Sequence, residues 1–222
     1  MDRAHVSPIA AGGSVGAVDC EGDRRDNVVR ICSWNVEGLT DLKIHEICSY
    51  MQTHGVDAIC LQETRRPKTD HYVAEGGFLI VLSGTAGTSR EYAGVGFVVA
   101  PWARTRVQGY CQLDNRIASI KIKTASGRLT LCTAYAPHNE KPTDEKMHFY
   151  DTLHEHVWHI SGSGPLLVFG DWNARLGHRR AGEEDVMGEF SFGREAQKRV
   201  DLPNRDLFIE FCTAQLLVAN TV

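Results

Sequence analysis

The chain has 222 residues, 42% hydrophobic and 23% charged, and its 24 Lys and Arg against 28 Asp and Glu give a formal net charge of −4. This composition suits a globular domain with a sizeable core and excludes wholesale disorder, collagen-like and membrane-spanning classes. The mild acidity also excludes a generic basic nucleic-acid coat, which needs a Lys and Arg excess, so any nucleic-acid contact has to be local.

Residues 1–27 carry early charges and no unbroken apolar stretch, and they read as a flexible leader rather than a signal peptide. The run VVRICSW (28–34) has strand length and stops at Asn35. Thr40 or Asp41 then caps a helix whose apolar positions Ile44, Ile47, Cys48 and Met51 recur at helical spacing, with Gly55 after His54 as its stop. AICL (58–61) is a short buried strand closed by Gln62, Glu63 and Thr64, so strand, helix and strand follow one another in a layered α/β order.

From Phe78 to Thr133 the runs FLIVLSG, GVGFVVAP, RIASIKIKT and RLTLCTAY, separated by turn signals such as Ser126-Gly127, predict a β meander. A second helix follows Pro142, with Thr143 as its cap, Asp144 and Glu145 in its first turn, and Tyr150, Leu153, Val157 and Ile160 on one face. PLLVF (165–169) is another apolar strand, ending in Gly170-Asp171-Trp172-Asn173, and residues 174–203 form a long, functional loop. A third helix from near Pro203 buries Leu207, Phe208, Phe211 and Cys212, and LLVANTV (216–222) reads as a strand. With no repeat or compositional break after residue 27, residues 28–222 form one domain.

Seven cysteines without a C-x-x-C pair argue against a disulfide framework or a zinc knuckle. Cys32, Cys60 and Cys132 lie in apolar runs and read as small buried hydrophobes, which points to a reducing, intracellular compartment. His148, His154, His156 and His159 crowd the second helix without H-E-x-x-H spacing, and read as a solvated face. Arg65-Arg66, Arg179-Arg180 and Lys198-Arg199 are short basic pairs, exposed or close to a nucleic-acid backbone.

The chemistry gathers where apolar strands end. Asn35 in SWNV, Glu63 in LQET, Tyr135 in TAYAP, and Asp171 with Asn173 in GDWN each stand where a buried sheet meets solvent, the usual place for active sites of layered α/β folds. Singly, each is an ordinary turn or strand-end residue. Together they supply what a hard divalent cation and a phosphate require. Glu63 is the candidate metal ligand, with Asn35 and Asp171 beside it. Asp171 would orient or deprotonate a water, and the amides of Asn35 and Asn173 and the Tyr135 hydroxyl would hydrogen-bond the phosphate or that water.

In their order, SWNVEGL, CLQET, TAYAP and VFGDWNARLG resemble the endonuclease/exonuclease/phosphatase superfamily of deoxyribonuclease I and the apurinic/apyrimidinic endonucleases. NARLG, PNRDLFIEFC and LLVANTV are most similar to endonuclease domains of non-LTR retrotransposons and the host genes derived from them. The resemblance implies a four-layer α/β sandwich of the deoxyribonuclease I-like type, and phosphodiester hydrolysis with Mg²⁺ (or Mn²⁺). It further implies DNA as partner, no membrane, a nuclear location, and catalytic roles for Asn35, Glu63, Tyr135, Asp171 and Asn173. The family pattern continues with a further Asp and a Ser-Asp-His motif, and this sequence stops at Val222 before either. The sandwich is therefore expected to lack its C-terminal strands and the enzyme part of its machinery. The alternative is a catalytically dead remnant acting as a DNA- or protein-binding module.

Overall fold

Thr40 and Gly55 bracket the first helix as their chemistry requires. The Thr40 side chain accepts a hydrogen bond from the Lys43 N–H at 3.2 Å, and Gly55 takes the left-handed conformation (φ 65°) that ends the helix with its N–H on the Met51 carbonyl. This helix, α1 (Asp41–His54), buries Ile44, Ile47, Cys48 and Met51. It lies between β1 (Ile31–Asn35) and β2 (Ala58–Gln62), which pair in parallel. The computed structural model describes residues 28–84, 93–189 and 202–219. The expected leader, the Lys198-Arg199 pair and the end of the expected last strand lie outside them.

The chain continues through β3 (Asp70–Val73), β4 (Leu79–Ser83), β5 (Val95–Val99) and a short α2 (Pro101–Arg104). It then enters β6 (Val107–Gln112), β7 (Ile117–Thr124) and β8 (Gly127–Tyr135), before α3 (Thr143–Ile160), β9 (Leu166–Asp171) and α4 (Asn204–Ala214). These strands form two sheets, one ordered β1-β2-β5-β4-β3 and the other β6-β7-β8-β9. The expected single meander is thus split between sheets: β4 and β5 join the first, β7 and β8 the second. The division falls at α2, where Pro101 starts a helical turn and Asp57 accepts from Trp102 at 3.1 Å and from Arg106 at 2.7 Å.

Residue alternation along the strands makes four layers. In β2, Ile59 and Leu61 pack with α1, whereas Ala58 and Cys60 face the second sheet. In β5, Val98 faces the α1 side and Val95, Phe97 and Val99 face the other sheet. The intersheet layer is completed by Ala118, Ile120, Ile122 and Leu131, and beyond it Cys132 and Ala134 pack against α3 and α4. The order is therefore helix, sheet, sheet, helices.

Two local expectations change. Thr143 is the first residue of α3 rather than its cap, with Pro142 at the cap position and no side-chain cap bond. Of the expected last strand, Ala219 makes an isolated parallel bridge to Met187, and Leu216 and Val218 are exposed.

Candidate active site

Two parallel strand pairs finish at the same end of the molecule. Asn35 stands opposite Gln62 at the end of the β1–β2 pair, and Tyr135 opposite Asp171 at the end of the β8–β9 pair. A polar bridge between the sheets holds these ends together: Gln62 Nε2 donates to Thr133 Oγ1 at 2.9 Å, which donates to the Leu61 carbonyl at 3.2 Å. Thr133 is fully buried, so this bridge is sheltered from competing water.

All five predicted residues meet there. The Asn35 amide donates to Glu63 Oε1 at 3.0 Å and to Asp171 Oδ2 at 2.7 Å, linking a carboxylate of each sheet through one nitrogen. The Tyr135 hydroxyl donates to the same Glu63 oxygen at 3.1 Å, and Arg65 Nη2 meets Glu63 Oε2 at 2.6 Å. Asp171 Oδ1 accepts the Asn173 N–H at 3.0 Å, and the Asn173 side chain donates to the Ala136 carbonyl at 2.8 Å.

Burial alone would raise the Glu63 carboxyl, but hydrogen bonds from Asn35, Arg65 and Tyr135 and the Arg65 charge hold it below the usual carboxylate value. Burial, then the Glu63 charge and its hydrogen bond, pushes the Tyr135 phenol up to about 12, while a bond with Asn173 works the other way. Tyr135 is therefore a neutral donor at physiological pH.

Backbone strain concentrates at the same place. Among the described residues, five non-glycine residues have positive φ, and four of them lie in the cluster or within two residues of it: Glu37 (46°), Glu63 (52°), Arg65 (51°) and Asn173 (47°). Such conformations cost about 1–2 kcal/mol each and persist where surrounding bonds over-determine them. Around Glu63 they do: Gly38 N–H donates to the Glu63 carbonyl at 2.7 Å and Leu39 N–H to that of Thr64 at 2.8 Å. On the other side, Thr64 and Arg65 donate to the carbonyls of Gly94 and Ala93, each at 2.9 Å. Gly94 has φ 110°, and a Cβ there would sit 2.4 Å from Thr64 Oγ1, so only glycine lets this segment lie so close.

Several contributors escape sequence reasoning. Arg116 donates to the Tyr135 carbonyl at 3.2 Å and its guanidinium lies 5.5 Å from the centre of the Tyr135 ring. Fully buried Asn204 donates to the carbonyls of Pro137 at 2.7 Å and Asn173 at 3.4 Å, tying the loops after β8 and β9 to α4. Arg205 pairs with both oxygens of Glu183, at 2.6 and 2.7 Å, and donates to the carbonyls of Leu176 and His178. Arg116 stands in no motif, and Asn204 and Arg205 lie in PNRDLFIEFC, which reads as the start of a helix and announces neither contact.

The histidine-rich helix is only partly a solvated face. His156 is buried and its ring nitrogen lies 3.0 Å from Ser119 Oγ, with burial lowering its pKa. The basic pairs are engaged too: Arg66 with Asp41 at 2.6 Å, and Arg180 with Asp206 at 3.3 Å.

Among the described residues, no group of three or more His, Cys, Asp or Glu is placed to share a metal. The Glu63 and Asp171 carboxylates form a sparser set of oxygens, bridged by the Asn35 amide nitrogen, whose own oxygen accepts from the Glu37 N–H at 3.2 Å. That set fits Mg²⁺, which takes one or two carboxylates and keeps water and phosphate oxygens around it. No described helix is long and apolar enough to cross a membrane.

The model of the Endonuclease/Exonuclease/phosphatase family matches residues 32–186, which takes in all five clustered residues. The chain belongs to this family. Craniofacial development protein 2 of Bos taurus is 27% identical over 224 residues, covering 93% of this chain and 34% of that protein. This endonuclease/exonuclease/phosphatase chain therefore spans about a third of the length of the curated relatives it matches. Among solved structures, it is similar to the AP endonuclease LMAP from Leishmania major (TM-score 0.60, 14% identity, 90% of this chain and 72% of that one). It is also similar to the endonuclease domain of TRAS1, a telomere-specific non-LTR retrotransposon (TM-score 0.54, 16% identity, 85% and 71%). The shared fold is the deoxyribonuclease I-like one of two packed sheets and flanking helices.

Proposed function

We propose that this domain, residues 28–222, is a divalent-metal-dependent endonuclease that hydrolyses phosphodiester bonds of DNA, of the type found in non-LTR retrotransposons. The observation that carries the reading is the cross-sheet cluster of Asn35, Glu63, Tyr135, Asp171 and Asn173 on a strained backbone. The family match and the endonuclease neighbours support it. A chromosomal substrate implies a nuclear location.

Glu63, with Asn35 and Asp171 beside it, would hold Mg²⁺ or Mn²⁺, which when bound supplies positive charge against the phosphate oxygens. Asp171 is half-buried at the end of β9 and would take the proton of a water as its oxygen attacks phosphorus. The phosphorus–oxygen bond opposite the attack then breaks, and the leaving sugar oxygen takes up a proton from solvent. The Asn173 amide would donate to the phosphate oxygens as charge builds on them, and the Asn35 amide and un-ionised Tyr135 hydroxyl would do so by turning from the carboxylate oxygens they now donate to.

Purified protein with Mg²⁺ should nick supercoiled plasmid DNA. Glu63→Gln should lower the rate by at least 10²- to 10⁴-fold, with its melting temperature near that of the wild type. Equal nicking by both proteins would overturn the catalytic assignment. Retained DNA binding without nicking by the wild type would favour a binding module instead.

A further inference from the structure

Both oxygens of Glu63 are spoken for. Oε1 accepts from Asn35 and Tyr135, and Oε2 faces the Arg65 guanidinium at 2.6 Å, the shortest contact the carboxylate makes. The Asn35 and Tyr135 donors are neutral, so a cation beside Oε1 meets no like charge from them. At Oε2 the approaching cation meets a full positive charge within hydrogen-bonding distance of the oxygen it needs. A guanidinium never gives up its proton at neutral pH, so the conflict is relieved only by movement. Of the two partners Arg65 is the one nearer solvent: its side chain is 37% exposed while that of Glu63 is 11% exposed.

We infer that Arg65 is the resident counter-ion of Glu63, that a divalent cation binds by displacing it, and that Arg65 thereby weakens and sets the metal affinity of the site. The inference rests on the reading of Glu63 as a metal ligand. The charge it removes from the carboxylate is not lost to the site. Arg65 sits at the solvent edge of the cluster, and its fork matches the paired oxygens of a phosphate as well as those of a carboxylate, so the displaced guanidinium is delivered to the incoming phosphodiester. Metal binding and substrate binding are thus coupled through one side chain that changes partners.

The test is metal binding in the absence of DNA, read by the disappearance of the free Mn²⁺ electron paramagnetic resonance signal. Four forms of the whole chain are compared: wild type, Arg65→Met, Arg65→Gln and Arg65→Lys. The two neutral variants should bind Mn²⁺ about tenfold or more tightly than the wild type, the effect expected of a like charge removed from ~4–6 Å. Arg65→Lys, which keeps the charge, should stay close to the wild type. Unchanged or weaker Mn²⁺ binding in both neutral variants, with melting temperatures intact, would overturn the inference. Glu63→Gln separates this outcome from failure of the underlying reading: if it binds Mn²⁺ like the wild type, Glu63 is not the ligand and both ideas fall. If it loses binding while the neutral Arg65 variants match the wild type, only the role of Arg65 falls.

Discussion

Asn35 places one amide nitrogen between two carboxylates, Glu63 at 3.0 Å and Asp171 at 2.7 Å. Asn35→Ala would remove a hydrogen bond that holds the Glu63 carboxyl down and leave its burial less opposed, so the carboxyl should rise toward its usual value. In the wild type the depressed carboxyl stays ionised as the pH falls through 4.5, so nicking should persist on the acid side. In Asn35→Ala the acid limb of the pH–rate profile should move up, with a rate at neutral pH lower by about 10²- to 10³-fold. An unmoved acid limb would count against this account. The residues at strand ends are ordinary one by one, and they were legible as a set because four apolar runs close on polar groups in the order of the family motifs. Arg65 in its contact with Glu63 was not, since that contact depends on two left-handed residues that no propensity announces. His156 was misread although the signal existed: Phe149, Leu153, His156 and Ile160 follow helical spacing, and the apolar stripe of α3 carries it inward to Ser119.

At the scale of elements, the stripe and stop of α1 were readable because they are local chemistry that tertiary structure left alone, and of the two candidate caps the structure takes Thr40. The strands β3 and β6 were not. All four residues of β3 are exposed, and β6 is interrupted by Gly109 where its register with β7 shifts, so neither shows clean alternation. Sheet membership was equally hidden, since alternation tells a strand which face is apolar but not which partner lies beside it. The loop after β9 is anchored by α4 through the Arg205–Glu183 pair, which is largely shielded from solvent. The Arg205 hydrogen bonds lower the Glu183 carboxyl below 4.5. A depressed carboxyl contributes stability that is present above its unfolded value and lost as the pH falls through the folded one. Glu183→Gln should therefore be less stable than the wild type at pH 7 by about 1–3 kcal/mol, the cost of leaving a buried charge short of its partner. In urea denaturation at pH 3 the difference should shrink; a gap of the same size at both pH values would remove the ion pair from the explanation.

Across the whole molecule, the layered α/β plan could be read from the order of apolar runs, but the seam between the sheets could not, since it pairs residues far apart in sequence such as Gln62 and Thr133. Phe97 lies fully buried in the middle of that seam, and Phe97→Ala should cost about 3–5 kcal/mol in chemical denaturation. The position of the strand-end cluster gives this variant a second readout. Glu63 stands at the end of a strand in one sheet and Asp171 at the end of a strand in the other, joined by the Asn35 amide. A slip of one sheet over the other by a fraction of a hydrogen-bond length would break that bridge while leaving every strand paired within its own sheet. The cluster thus works as a vernier on the alignment of two slabs. In Phe97→Ala, rising urea should extinguish nicking before the far-UV circular dichroism changes, and coincident loss of the two signals would show that the slabs part only when they unfold.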